Sequence, residues 1–128
     1  MKILLLDDEE SLLRALRAVL EDLGHAADCF SDAAEAARKI EGGDYDVALV
    51  DYMMPVHNGI WFMKNARVPR KTKVLLMTAF VNRKVINEMF KLGARGYLIK
   101  PIDQEELSHH LSFHQGDEPP ASPSPANE

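Results

Sequence analysis

Short apolar runs alternate with amphipathic segments along most of the chain. The apolar runs lie at residues 2–6, 26–30, 47–50, 74–77 and 97–99. Runs this short are typical of strands, and their continuous apolarity indicates burial on both faces of a sheet. The run at 26–30 is the weakest of the five because Asp28 interrupts it.

Helical patterns separate these runs. The predicted helices cover residues 10–23, 32–40, 60–66, 82–92 and 103–114. In the first helix, leucines and a valine recur at steps of three and four residues, as on one face of a helix. Asp32 and Asp103 each precede a glutamate by three residues, which is typical of a helix N-terminus. Strands and helices that alternate in this way predict an α/β fold with one five-stranded parallel sheet and helices on both faces.

Length and composition predict one folded domain followed by a polar tail. The chain has 128 residues, of which 46% are hydrophobic, and this length corresponds to about one domain. All of the predicted strands and helices fall within residues 1–115, which we interpret as the domain. Residues 116–128 hold four of the seven prolines and no large apolar residue, so we expect a tail or a linker stub there.

Charge and cysteine content narrow the class of protein. The net charge of −5 argues against direct nucleic-acid binding by this domain, because phosphate neutralisation needs clustered cations. Cys29 is the single cysteine, which favours a reducing compartment. The apolar run near the N-terminus is too short for a signal peptide, and no window approaches the ~18 apolar residues that span a bilayer. We therefore expect a cytoplasmic protein that does not bind membranes.

Chemically reactive side chains follow four of the five predicted strands. Asp7 and Asp8 follow the first strand, Asp51 the third, Thr78 the fourth and Lys100 the fifth. The carboxyl ends of parallel strands share one edge of the sheet, where ligands bind. Carboxylates brought together there repel one another, and a hard divalent cation such as Mg²⁺ would neutralise them. A lysine and a hydroxyl beside them suit a phosphoryl group, and a carboxylate can accept one as an acyl phosphate.

These segments resemble the receiver domain of two-component response regulators, of the single-domain chemotaxis-regulator type. The matching segments read LLDDE at 5–9, LVDYMMP at 49–55 with Gly59 behind it, LMTA at 76–79 and GARGYLIKP at 93–101. Their order and spacing match over roughly residues 1 to 115, and together they are far more specific than any one segment. The resemblance implies a doubly wound, flavodoxin-like (βα)5 fold.

The resemblance also implies a role for each site residue. Asp51 would accept the phosphoryl group from a sensor histidine kinase or a phosphotransferase protein. The Mg²⁺ ion would be held by Asp7, Asp8, Asp51 and the backbone carbonyl of Met53. Lys100 would pair with the phosphoryl oxygens, through an orientation that a cis peptide bond to the following proline helps to set.

A switch is implied as well, formed by Thr78 and Tyr97. In the family, the hydroxyl moves towards the modified aspartate and the aromatic ring swings inward. This motion would change the surface formed by the last two helices and the fifth strand, to which a downstream protein target would bind. The domain would then be a phosphorylation-controlled signalling module and not an enzyme acting on other substrates.

Several alternatives stay open from the sequence. The chain could be a receiver domain cut from a longer regulator with a DNA-binding or enzymatic output domain. A metal-dependent phosphatase with an aspartyl-phosphate intermediate is less well supported, because the expected Asp-x-Asp pattern after the first strand is missing. A nucleotide-binding or flavin-binding domain would need a glycine-rich or hydroxyl-rich first turn instead of four consecutive acids. A receiver-like domain that switches without phosphorylation is disfavoured because all five site residues are present. The sequence also leaves open whether two copies form a homodimer.

Three apolar residues stand where the family commonly has polar ones. Met53 and Phe80 lie two residues after Asp51 and Thr78, on the path that attacking water takes in the family. We hypothesise that they hinder water and lengthen the lifetime of an acyl phosphate. Trp61 lies between two other large apolar residues, and we interpret it as facing outward, where it could contact a partner.

Overall fold

Five strands alternate with five helices in the computed structural model, which describes residues 1–79 and 81–115. The strands are β1 (Lys2–Leu6), β2 (Ala26–Phe30), β3 (Val47–Asp51), β4 (Lys73–Thr78) and β5 (Gly96–Ile99). The helices are α1 (Glu10–Asp22), α2 (Ala33–Gly42), α3 (Gly59–Asn65), α4 (Arg83–Lys91) and α5 (Gln104–Gln115). All ten predicted elements are confirmed. The polar tail at 116–128 and Phe80 lie outside the described residues.

The strands form one parallel sheet in the order β2-β1-β3-β4-β5. The direction of winding therefore reverses between β1 and β3, which makes the fold doubly wound as predicted. This reversal leaves a crevice beyond the carboxyl ends of β1 and β3, where neither connection covers the sheet.

Both faces of the three central strands are buried, which explains why β1, β3 and β4 carry continuous apolar runs. Ile3 and Leu5 of β1 belong to a core cluster with residues of α1 and α5. Leu4 and Leu6 of the same strand belong to a second cluster with residues of α2 and α3. Since neighbouring side chains in a strand point to opposite faces, each of the central strands β1, β3 and β4 contributes to cores on both faces.

Polar side chains fix where several helices begin. The side chain of Asp32 accepts a hydrogen bond from the backbone N–H of Ala34 at 2.9 Å, and that of Asp103 accepts one from Glu106 at 2.8 Å. Such caps stabilise a helix by about 1 kcal/mol each. The predicted N-termini of α2 and α5 are therefore confirmed. None of the helices in the described residues is long and apolar enough to cross a bilayer.

The interpretation of Trp61 as an outward-facing residue is wrong in part. Its side chain is half-buried against the core beneath α2 and α3, and its ring stacks on His57 with centroids 3.8 Å apart and planes 14° apart. Phe62 is fully buried and Ile60 is half-buried. Helix α3 buries part of all three side chains because it lies between α2 and α4 and contacts both.

Candidate functional site

Three carboxylates meet where β1 and β3 end. Asp7 follows β1 directly and Asp51 is the last residue of β3, and these strands are neighbours in the sheet. Asp7, Asp8 and Asp51 each offer a carboxylate oxygen, and the three oxygens lie within 4.8 Å of one another. Asp7 is fully buried, Asp51 is 3% exposed and Asp8 is exposed. The structure thus brings together the acids that the sequence analysis singled out.

Lys100 reaches this cluster from the end of β5. Its ammonium Nζ lies 2.6 Å from Asp7 Oδ2 and 3.3 Å from Asp51 Oδ1. Its backbone N–H donates to the carbonyl of Thr78 at 2.8 Å, and the peptide bond to Pro101 is cis. Burial acts to lower the pKa of Lys100, but the two carboxylates outweigh it and the pKa is raised. The lysine is therefore a permanent cation at the site.

The lysine does not fully balance the acids. Burial, together with the neighbouring Asp7 carboxylate, raises the pKa of Asp51 to about 6, although Lys100 acts in the opposite direction. Among the described residues, the buried Asp7 Oδ2 has the ion-pair contact with Lys100 but no partner in hydrogen-bonding geometry. A cluster of oxygen donors with excess negative charge fits a hard divalent cation such as Mg²⁺.

The loop that follows Asp51 folds back against the end of β3. The N–H of Gly59 donates to the carbonyl of Tyr52 at 2.9 Å. A Cβ atom at position 59 would lie 2.8 Å from the carbonyl oxygen of Asp51 and 3.0 Å from Cα of Tyr52. Only glycine permits this approach, which accounts for the glycine in the sequence motif.

A hollow of about 380 Å³ opens at the loop that follows Asp51, lined by Tyr52, Met53, Met54, Pro55 and Asn58. Met53 is 54% exposed there. Sequence reasoning singled out Met53 but not the other four lining residues. All four lie in the loop directly after the candidate acceptor, and this position is the signal that could have identified them. Hydrophobic periodicity does not predict the shape of a loop.

Thr78 and Tyr97 lie on adjacent strands and on one face of the sheet. Leu76 pairs with Tyr97 and Thr78 pairs with Ile99, so Thr78 is a diagonal neighbour of Tyr97. Thr78 is 2% exposed at the end of β4, whereas Tyr97 is 37% exposed. The Tyr97 ring contacts Phe90 of α4, with centroids 6.3 Å apart. Sequence reasoning missed Phe90, which carries no motif.

Comparisons with known proteins agree with this geometry. The chain matches the response regulator receiver domain family over residues 3–112. It is 34% identical over 115 residues to the chemotaxis protein CheY-3 of Vibrio cholerae, covering 87% of this chain and 88% of that protein. It is 30% identical to the transcriptional regulatory protein RprY of Bacteroides fragilis, covering 87% of this chain and 48% of that protein.

Solved structures give the same result. The crystallised chemotaxis protein CheY4 of Vibrio cholerae superposes with a TM-score of 0.80 at 31% identity, covering 87% of this chain and 95% of that one. Receiver domains are signalling modules that histidine kinases or phosphotransferases phosphorylate. The sequence match, the relatives and the fold together show that this chain belongs to the response regulator receiver domain family of two-component systems.

Proposed function

We propose that Asp51 accepts a phosphoryl group in a Mg²⁺-dependent reaction and that Thr78 and Tyr97 convert this modification into a changed partner-binding surface. The observation that carries the proposal is the convergence of three carboxylates and Lys100 at the crevice beyond β1 and β3. Burying so many charges in one place costs stability. We infer that these charged side chains serve to bind a phosphoryl group and its counter-ion.

The acids would hold the cation. Asp7, Asp8 and Asp51 form a set of oxygen donors of the kind that Mg²⁺ prefers, and we infer that the backbone carbonyl of Met53 would complete it. When bound, Mg²⁺ supplies positive charge that neutralises the transferring phosphoryl group and its acceptor. The charge balance supports this assignment, because three carboxylates meet there and Lys100 contacts only Asp7 and Asp51 among them.

Asp51 is suited to act as the nucleophile. An oxygen of its carboxylate would attack phosphorus, the bond from phosphorus to the donor nitrogen of a phosphohistidine would break, and the acyl phosphate would form on Asp51. A pKa of about 6 leaves this carboxylate largely ionised at neutral pH. Lys100 lies 3.3 Å from Asp51 Oδ1 and is in position to pair with the phosphoryl oxygens.

Thr78 and Tyr97 would read out the modification. Phosphorylation adds about −1.5 to −2 charges at the end of β3. We infer that the Thr78 hydroxyl then donates to a phosphoryl oxygen, and that Tyr97 turns inward along the face it shares with Thr78. This rearrangement would alter the surface formed by α4, β5 and α5, where a downstream protein would bind.

Acetyl phosphate, a small phosphodonor, tests the proposal. We expect the protein to gain the mass of one phosphoryl group when incubated with acetyl phosphate and Mg²⁺, and to gain none when EDTA replaces the Mg²⁺. Asp51→Asn should not be labelled. The matched control, Asp22→Asn at the exposed end of α1, should be labelled like the wild type. Equal labelling of Asp51→Asn and the wild type would overturn the proposal.

A further inference from the structure

An aromatic pair occupies the edge of the sheet beside the proposed switch. Tyr97 and Phe90 are 37% and 42% exposed, and their ring planes are tilted by 48° at a centroid distance of 6.3 Å. This distance and tilt fall in the range that aromatic rings prefer. Each of these partly exposed rings therefore has the other as a favourable contact.

The course of α4 determines where this contact lies. Ile86 and Met89 of α4 are buried against Leu76 of the sheet, and Phe90 is the next residue around the helix. The helix begins shortly after Thr78 at the carboxyl edge and runs back along the sheet, so Phe90 lies in its last turn, towards the start of β5. From Tyr97, Phe90 and Thr78 therefore lie in opposite directions along the sheet.

We propose that Phe90 is a positioning residue that holds the Tyr97 ring in its outward position and so opposes activation of the receiver. This inference rests on the proposed function of Tyr97. Because the ring cannot contact Phe90 and lie over Thr78 at once, inward rotation breaks the aromatic pair. The pair is thus an interaction of the unmodified state alone, and it shifts the equilibrium towards that state.

The size of the effect follows from the strength of such pairs. An aromatic pair shifts a two-state equilibrium by about 2- to 10-fold. A ligand that binds only the inward state should bind tighter by that factor once the pair is removed, provided that the outward state predominates.

Beryllofluoride, a stable phosphoryl analogue, is a suitable probe in the presence of Mg²⁺. We expect Phe90→Ala to lower its Kd by about 2- to 10-fold. Phe90→Leu keeps an apolar side chain, guards against loss of folding, and should act in the same direction. Phe90→Tyr restores a ring and should bind like the wild type. The matched control is Leu23→Ala, which truncates a residue of similar exposure (40%) after α1.

A second readout separates positioning from general destabilisation. In a Tyr97→Ala background, Phe90→Ala should leave the Kd unchanged, because the ring that it positions is gone. In the unmodified protein, NMR of ring-labelled tyrosine should show a larger inward population in Phe90→Ala than in the wild type. The inference is overturned if Phe90→Ala and Phe90→Leu bind beryllofluoride no tighter than the wild type, or if Phe90→Ala tightens binding equally without Tyr97.

The outcomes also distinguish this inference from the proposed function. If wild-type protein fails to bind beryllofluoride with Mg²⁺, the proposed function is overturned and this inference with it. If the wild type binds and its Tyr97 moves, but Phe90→Ala has no effect, only the inference about Phe90 is overturned.

Discussion

As the proposed phosphoacceptor, Asp51 must satisfy two opposing requirements. A buried carboxylate is protected from water, but burial disfavours the ionised form that acts as a nucleophile. The pKa of about 6 results from this conflict, with Asp7 adding to the effect of burial and Lys100 limiting it. In the metal-free protein, the ionised site is therefore a source of instability.

Replacing Asp51 by its neutral amide should stabilise the metal-free protein in a pH-dependent way. The pKa of Asp51 is about 6 in the folded state and 3.8 in the reference state, so wild-type stability falls as the pH rises through this window. We expect Asp51→Asn to raise the free energy of unfolding by about 2 to 3 kcal/mol at pH 7.5, but by less than about 1 kcal/mol at pH 4. Urea denaturation with EDTA at both pH values measures this. Asp22→Asn should show no such pH-dependent gain, and an equal gain at both pH values for Asp51→Asn would contradict the account.

We expect Met53 to affect the lifetime of the proposed acyl phosphate. Its exposed side chain lines the hollow at the loop after Asp51, where an apolar group would disfavour an ordered, attacking water. We expect Met53→Asn to speed loss of the phosphoryl group several-fold, as followed by intact mass over time after the phosphodonor is removed. The control variant Leu23→Asn, in which the substituted residue is far from Met53 in the sequence, should lose the phosphoryl group at the wild-type rate.

The companion hypothesis concerns Phe80, which lies outside the described residues. Phe80→Glu is the corresponding variant, and the same decay measurement applies to it. Unchanged decay in both Met53→Asn and Phe80→Glu would refute the idea that apolar groups shield the acyl phosphate.

The location of the reactive side chains was predictable from the sequence only where these residues directly follow predicted strands. Asp7, Asp8, Asp51, Thr78 and Lys100 follow predicted strands, so topology alone places them at one edge. The contact between Phe90 and Tyr97 and the stacking of Trp61 on His57 were not predictable. These contacts depend on side-chain rotamers and on how far each helix overhangs the sheet, which periodicity does not encode.

At the scale of elements, the loop between β3 and α3 sets the geometry of the site. Asn58 caps α3 by accepting a hydrogen bond from the N–H of Trp61 at 2.9 Å. Gly59 then packs against the backbone of Asp51. The start of α3 and the end of β3 are thus fixed relative to each other, and the position of Asp51 depends on both.

A methyl group at position 59 should disturb this packing. Because backbone atoms of Asp51 and Tyr52 would have to move, we expect Gly59→Ala to lower the free energy of unfolding by about 1 to 3 kcal/mol. Phosphorylation by acetyl phosphate should also slow. Chemical denaturation and the rate of mass gain measure the two effects. Gly42→Ala is the matched control, since its Cβ would meet no described atom within 4 Å, and it should show neither effect. Wild-type behaviour of Gly59→Ala would refute this reading of the loop.

Val56 is strained in the same loop. Its φ of 70° is in the left-handed region, which is unfavourable for a β-branched residue, and its side chain is 93% exposed. Asparagine tolerates this conformation, so we expect Val56→Asn to raise the free energy of unfolding by about 1 kcal/mol. Thermal or urea denaturation measures the gain. Val56→Ile keeps the branched Cβ and should show none, so equal stability of the two variants would contradict the interpretation.

In the molecule as a whole, strand order brings together the residues on which the proposed function depends. The order β2-β1-β3-β4-β5 places the ends of β1 and β3 side by side, although Asp7 and Asp51 are far apart in sequence. The same order puts β5 at the sheet edge, where Tyr97 is accessible to a partner. A modification of Asp51 on β3 can thus affect Tyr97 on β5 through β4, the strand that lies between β3 and β5.

Mapping the phosphorylated residue decides whether Asp51 is the phosphoacceptor. After incubation with acetyl phosphate and Mg²⁺, the protein would be digested and its peptides analysed by mass spectrometry under conditions that preserve acyl phosphates. We expect one phosphoryl group, located on Asp51. A phosphoryl group on another residue, or none on protein that is folded, would contradict it.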